Sequence, residues 1–329
     1  MFGGGSFGTA VASHLAWNKA GMEVVLLVRD PAVVEGVNEQ HCNPRYLSHH
    51  RLPLGVTATT DAAEALQGAD MAFLVLPVQR TRQFLAGIEG DIPEGLPLVA
   101  LSKGLELGTN LVLADVVRQT LGKRQPVAVL SGPTFASEMI EQRPTAMVAA
   151  SRDKRLALRV QQLLASEYLR INTSDDVVGA EICGALKNVL AIAAGIVEGL
   201  ELGNNSMAAL VAQGMSEIRW LAEKMGARPA TLAGPAGVGD VMLTCFVPLS
   251  RNRTVGVRLG QGESVEEILG SMKEVAEGVP TAAAVVELAR KYRVQLPVLT
   301  AVAYILAGRI TPRKAVLELM NLPQIDEAN

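Results

Sequence analysis

A doubly wound α/β domain followed by an all-helical domain is the architecture this sequence predicts, and three observations predict it. A glycine-rich turn lies at residues 3–8. Short aliphatic runs then alternate with helical patterns to about residue 172, and beyond that only helical patterns continue. Strands alternating with helices read as βαβ units of a parallel sheet. The expected division is residues 1–172 as a Rossmann-type dinucleotide-binding domain and 173–329 as a helical substrate and catalytic domain. A chain of 329 residues suffices for two such cores.

The composition narrows the function classes. With 49% hydrophobic and 19% charged residues the chain reads as compact and soluble, and a net charge of −3 leaves no basic footprint for nucleic acid. Cys42, Cys183 and Cys245 are far apart and form no CxxC pair, so neither a metal site nor a disulfide framework is expected, and the compartment reads as reducing. No signal peptide is visible.

Gly3, Gly5 and Gly8 fit GxGxxG within GGGSFG. Such a loop needs a tight turn, close backbone approach to a pyrophosphate and close helix packing. It normally follows a buried strand of about five or six residues, yet Gly3 is the third residue here. The central strand is therefore expected to be missing, its neighbours exposed and the chain truncated, with any transit peptide lost as well. A helix over 9–20 and a strand over 23–28 follow. After that strand come Arg29 and Asp30; Arg29 suits a 2′-phosphate and Asp30 a ribose, which favours NADP or dual use over strict NAD use.

The alternation continues with a helix over 61–66, a strand over 71–76, a helix over 81–88 and a strand over 98–101. Lys103 lies just past that strand, where open sheets bind ligands. A helix over 110–121 and a strand over 127–130 lead to Ser131-Gly132-Pro133-Thr134-Phe135-Ala136, a turn whose following helix amides can meet an anion or a carboxamide. Strands over 146–150 and 169–172 flank a helix over 154–166.

Residues 179–199 form the most apolar stretch, with Lys187 its one charge between Glu181 and Glu198. The spacing of Ile182, Leu186, Val189 and Ile196 predicts a helix buried on most sides. Burial disfavours the charged form of a lysine, which suits it to proton transfer near neutral pH; a lysine snorkelling to the surface is the plainer alternative. A membrane span is not expected, because Lys187-Asn188 interrupts the run. A second helix over 206–225 reads as core packing. Asp240 ends a glycine-rich turn and suits either a helix cap or a partner for a buried lysine. Ser250-Arg251-Asn252-Arg253-Thr254 is dense in donors and suits a phosphate or an exposed basic loop. Ser264 to Glu267 is a capping box, and Glu277-Gly278 a turn or a cofactor contact.

In order, GGGSFGTA, SKGLE, SGPTFA, GALKNVLAIAAG, GVGD, LTC and SRNRTVG resemble the NAD(P)-dependent glycerol-3-phosphate dehydrogenases, across nearly the whole chain. Segments such as YLRINTSDDV and NNSMAALVAQG look most like the plastid-type enzymes of plants and green algae. The resemblance implies interconversion of dihydroxyacetone phosphate and sn-glycerol 3-phosphate with NADPH or NADH, in support of glycerolipid synthesis. It implies Lys187 as the proton donor and acceptor, and Lys103 as a residue touching both substrate and cofactor. It places Asp240, Ser250, Arg251 and Asn252 at the substrate, with Arg251 also near the cofactor. Ser6, Phe7, Gly132, Thr134, Ala136, Val275 and Glu277 are implied as cofactor contacts beside Gly3, Gly5 and Gly8 of the glycine loop, while Arg29 matches a position that varies within the family and leaves the cofactor choice open. A homodimer and a plastid stroma location follow from the same resemblance, with the cytosol as the alternative. A related hydroxyacid dehydrogenase and a non-catalytic dinucleotide sensor are the competing readings. Lys103, Lys187 and Asp240 argue against the sensor, which has no need of proton-transfer groups.

Overall fold

The computed structural model describes residues 1–122, 124–272 and 274–323. In chain order the elements are α1 (Ser6–Asn18), β1 (Val24–Leu27), α2 (Pro31–Gln40), β2 (Val56–Thr59), α3 (Ala62–Leu66), β3 (Ala72–Leu74), α4 (Val78–Gly87) and β4 (Leu98–Ala100). Then follow α5 (Leu113–Leu121), β5 (Val127–Ser131), α6 (Ala136–Ile140), β6 (Thr145–Ala150), α7 (Lys154–Leu164) and β7 (Leu169–Ser174). The remainder is helical: α8 (Val177–Gly199), α9 (Gly203–Lys224), α10 (Pro229–Leu232), α11 (Asp240–Phe246), α12 (Arg251–Gly260), α13 (Val265–Ser271), α14 (Gly278–Tyr292), α15 (Pro297–Leu306) and α16 (Pro312–Met320).

The chain divides into two units, Met1–Gly184 with Gly226–Asp240, and Ala185–Met225 with Val241 onward. The division falls inside α8 and at the start of α11, whereas the sequence suggested a break after residue 172. The reason is packing: Val177, Ala180 and Ala236 bury their side chains in a core of the sheet-bearing unit.

In the first unit β1 pairs with β2, and β3 to β7 form a five-stranded order, with Phe2 bridging β1 and β3 in parallel. The expected gap at the centre is thus closed by two residues. Phe2 N–H donates to Phe73 O (2.7 Å), Val75 N–H to Phe2 O (2.9 Å) and Leu27 N–H to Met1 O (2.9 Å). The expected exposure of the neighbouring strands does not occur: Leu27 and Leu74 are buried, and the Phe2 ring packs on Phe84 with centroids 5.4 Å apart. Met1 and Phe2 thus pair with backbone groups of both neighbours at Leu27, Phe73 and Val75.

The sheet also departs from an all-parallel one. β6 runs antiparallel to β5 and parallel to β7. A parallel return needs a crossover of about a dozen residues built on a helix, and α6, at five residues, is too short to carry the chain back. Strand side chains alternate between two cores. Leu26, Phe73, Val99, Ala128 and Leu130 face one with α1 and α7. Leu27, Leu74, Leu98, Ala100 and Val129 face the other with α4 and α5. Each fully buried aliphatic side chain contributes about 2 kcal/mol.

In the second unit α8 and α12 cross at near contact of their backbones. A Cβ at Gly195 would lie 2.1 Å from Arg253 O, and one at Gly256 would lie 2.0 Å from Ile192 O. Only glycine permits that approach. The chain is long and apolar enough at α8 to cross a membrane by composition, but the most apolar window of this helix is wholly buried in the protein. Glu217 of α9 is buried and accepts from the Val298 and Leu299 amides (2.9 and 3.0 Å), so it caps α15 from another helix.

Candidate active site

Each unit carries its own part of the residues singled out from the sequence. In the first, the glycine loop turns sharply at Gly3, whose φ is +106°, and a Cβ at Gly8 would lie 2.1 Å from Gly3 O. A Cβ at Gly5 would meet nothing within 4 Å. The loop is therefore tight where α1 packs and open where a ligand must approach. Ser6 and Phe7 form the first turn of α1, which has no side-chain cap. Its amides and dipole suit a pyrophosphate, so the residues present fit a dinucleotide.

Asn43, not singled out from the sequence, holds this loop. It is buried, and its Nδ2 donates to Gly4 O (2.9 Å) and Thr9 Oγ1 (2.8 Å) while its Oδ1 accepts from the Arg45 and Tyr46 amides (3.1 and 3.2 Å). Nothing local in the sequence told that this residue would fold back onto Gly4. Arg29 is exposed just past β1. Asp30 caps α2 through the Ala32 amide (3.1 Å) and pairs with Arg45 at 2.5 Å.

Lys103 and Gly132 follow β4 and β5 at their carboxyl ends, and Asp240 comes from the 226–240 return. Lys103 Nζ donates to Asp240 Oδ2 (2.6 Å) and to Gly132 O (2.9 Å). The Asp240 side chain is 1% exposed and that of Lys103 17%. Removing one partner of such a pair leaves a charge unpaired out of water, which costs about 3–5 kcal/mol. Gly132 has φ +149°, and a Cβ there would sit 2.8 Å from Ala146 O. Thr134 donates its hydroxyl to Gly132 O (3.3 Å), and Ala136 begins α6.

In the second unit Lys187 is buried in α8 and donates to Thr244 Oγ1 of α11 at 2.6 Å. Asn188, its neighbour, accepts from Asn252 Nδ2 (3.0 Å), and Asn252 Oδ1 accepts from the Gly278 amide (2.9 Å). Ser250 caps α12, accepting from the Arg253 amide (3.3 Å). Arg251 donates to Val275 O (3.0 Å) and pairs with Glu274 (3.0 Å), while Arg253 pairs with Glu198. Glu277 precedes α14 and Val275 is exposed. Thus α8, α12 and the 274–278 segment are tied together around residues that are adjacent to Lys187 or carry donors for an anion. Thr244 and Asn188 were not singled out from the sequence, although both stand within quoted motifs.

Burial pushes two carboxyls up: Glu217 to about 7, despite its two amide donors, and Glu181 to about 8, despite accepting from the Ala114 amide at 2.8 Å. Among the described residues no group of three or more His, Cys, Asp or Glu side chains is placed to hold a metal ion.

A largely parallel sheet with an open glycine loop at α1, followed by a helical unit with a buried lysine, defines a dinucleotide-dependent dehydrogenase. The N-terminal region of the NAD-dependent glycerol-3-phosphate dehydrogenases matches residues 1–157 and their C-terminal region matches 176–317. A chloroplastic NAD+ glycerol-3-phosphate dehydrogenase of Arabidopsis thaliana is 62% identical over 99% of this chain and 78% of that protein. The chloroplastic NAD+ enzyme of Oryza sativa subsp. japonica is 61% identical over 99% of this chain and 74% of that protein. The crystal structure of glycerol-3-phosphate dehydrogenase from Coxiella burnetii superimposes with a TM-score of 0.92 at 34% identity, covering 98% of both chains. The chain belongs to the NAD-dependent glycerol-3-phosphate dehydrogenase family.

Proposed function

We propose that the chain interconverts dihydroxyacetone phosphate and sn-glycerol 3-phosphate, with Lys187 as the proton donor to the ketone and acceptor from the alcohol. The observation that carries this role is the buried Nζ of Lys187 held 2.6 Å from Thr244 Oγ1 on a helix locked by glycine contacts. The nicotinamide, when bound, supplies or takes the hydride. Negative charge that builds on the substrate oxygen is met by a proton from Lys187 and by the positive charge of Lys103. Asp240, through its ion pair, holds Lys103 in one position. Arg251 and Asn252 are assigned to the substrate phosphate together with Ser250, whose own hydroxyl orders the first turn of α12. A fixed phosphate lets binding energy orient a ketone too small to hold itself.

Residues of the sheet-bearing unit hold the dinucleotide: Gly3, Gly5, Ser6, Phe7 and Gly8 at the pyrophosphate, with Gly132, Thr134 and Ala136 further along. Val275 and Glu277 of the helical unit add to the cofactor set. Arg29 favours NADPH, with NADH as a second cofactor; the plant relatives carry NAD+ in their names. We assign the activity to the supply of glycerol 3-phosphate for glycerolipids, in a homodimer, and place it in the plastid stroma, a location that the chloroplastic relatives support. The test is loss of reduced-cofactor absorbance on adding dihydroxyacetone phosphate, first with NADPH and then with NADH. Turnover is expected with wild type, and a folded Lys187→Ala chain with near-normal turnover overturns the lysine's role.

A further inference from the structure

Resting on the dehydrogenase reading, we propose that Arg45, through its ion pair with Asp30, determines the choice between NADPH and NADH. An acid at the end of the second strand of a dinucleotide fold accepts from the ribose hydroxyls, and so disfavours a 2′-phosphate there. Asp30 occupies that position, but one oxygen is hydrogen-bonded and the other lies against a cation without a hydrogen bond of its own. Oδ1 accepts from the Ala32 amide at 3.1 Å, and Oδ2 pairs with Arg45 at 2.5 Å. The charge of the acid is thereby countered, and Arg45 brings a second guanidinium to the residue that follows the exposed Arg29 in the chain. A 2′-phosphate arriving at the end of β1 meets two cations rather than one carboxylate, and a guanidinium matches phosphate oxygens two at a time.

The mounting of Arg45 makes this more than a surface pair. Its backbone amide is held by Asn43 Oδ1 at 3.1 Å, and the same asparagine grips the glycine loop at Gly4 O and Thr9 Oγ1. One buried side chain therefore spaces the arginine against the loop assigned to the pyrophosphate. Distance from pyrophosphate to adenosine ribose is fixed by covalent structure, so a rigid spacing of that kind is what a 2′-phosphate contact requires. The Arg45 side chain is 64% exposed, so its replacement leaves the core intact.

The experiment is direct titration of the full-length chain with NADPH and with NADH, followed by nucleotide fluorescence, for wild type, Arg45→Ala, Arg45→Lys and the double variant Asp30→Asn with Arg45→Ala. Arg45→Ala is expected to lower the NADPH-over-NADH affinity ratio about tenfold, the size of one lost charge-assisted contact. Arg45→Lys recovers part of that ratio, and removing the freed carboxylate in the double variant recovers part of it too. An unchanged ratio in Arg45→Ala overturns the proposal while leaving the dehydrogenase reading in place. Failure of wild type to bind either nucleotide overturns both.

Discussion

The two units hold their lysines out of water in contrasting ways. Lys103 stands on a loop at a strand end and is met by a carboxylate, Asp240, and a carbonyl, Gly132 O. Lys187 stands in mid-helix and meets a hydroxyl, Thr244. A carboxylate partner fixes an ammonium as a charge. A hydroxyl can accept or donate, so it stays bonded to a lysine before and after a proton moves. On the proposed mechanism, the loop lysine supplies electrostatic stabilisation and the helix lysine proton transfer, and these two settings support that division. It also explains their settings, since a group that changes protonation gains most from a scaffold that does not move with it.

The contrast can be broken by experiment. Lys187→Ala is expected to lower kcat/KM about a thousandfold, the middle of the range for a lost general acid, with unchanged thermal unfolding. If Lys103→Ala costs as much, or responds as strongly to added amines, the division of roles collapses. A second comparison is of buried carboxyls. Burial raises Glu217 from 4.5 to about 7. A group with a raised folded-state value lends its stability in full below its unfolded value, and loses it as pH rises through the folded one. Denaturant unfolding should therefore show wild type losing about 3 kcal/mol from this group between pH 5 and pH 8. Glu217→Gln, neutral throughout, should flatten that slope; an unaltered slope means the carboxyl is ionised in the fold. Glu181, raised to about 8, acts in the same direction in the other unit.

Smaller effects sharpen the role of the scaffold. Gly256→Ala forces a methyl against Ile192 O and should cost about 2 kcal/mol in urea unfolding, with activity falling as α8 shifts. A neutral result there means α12 can move away without penalty. Thr244→Val keeps the shape and removes the hydroxyl. A loss of several-fold in kcat, about 1 kcal/mol, with KM little changed is expected, and a pure KM effect would make Thr244 a binding residue instead.

Residues 31–60 show where sequence reading fell short. Helix α2 and strand β2 were not read from it, although Asp30-Pro31 is a cap followed by a residue favoured at a helix start. The burial of β2 depends on pairing with β1, which no local pattern specifies. Asn43 and Glu217 are similar cases. Each is a polar residue whose task, tying a glycine loop or capping a distant helix, is set by residues far along the chain.

Periodicity, glycine spacing and ordered motifs determined the alternating first region, the buried lysine helix and the family, because each is a short-range demand of backbone geometry or ligand chemistry. Tertiary structure alone decided that Met1 and Phe2 close the sheet, that β6 reverses, that the 226–240 return joins the first unit, and that Asp240 meets Lys103. Those outcomes rest on which distant surfaces bury each other and which buried polar groups find partners. Such terms are summed over the whole fold rather than along the chain.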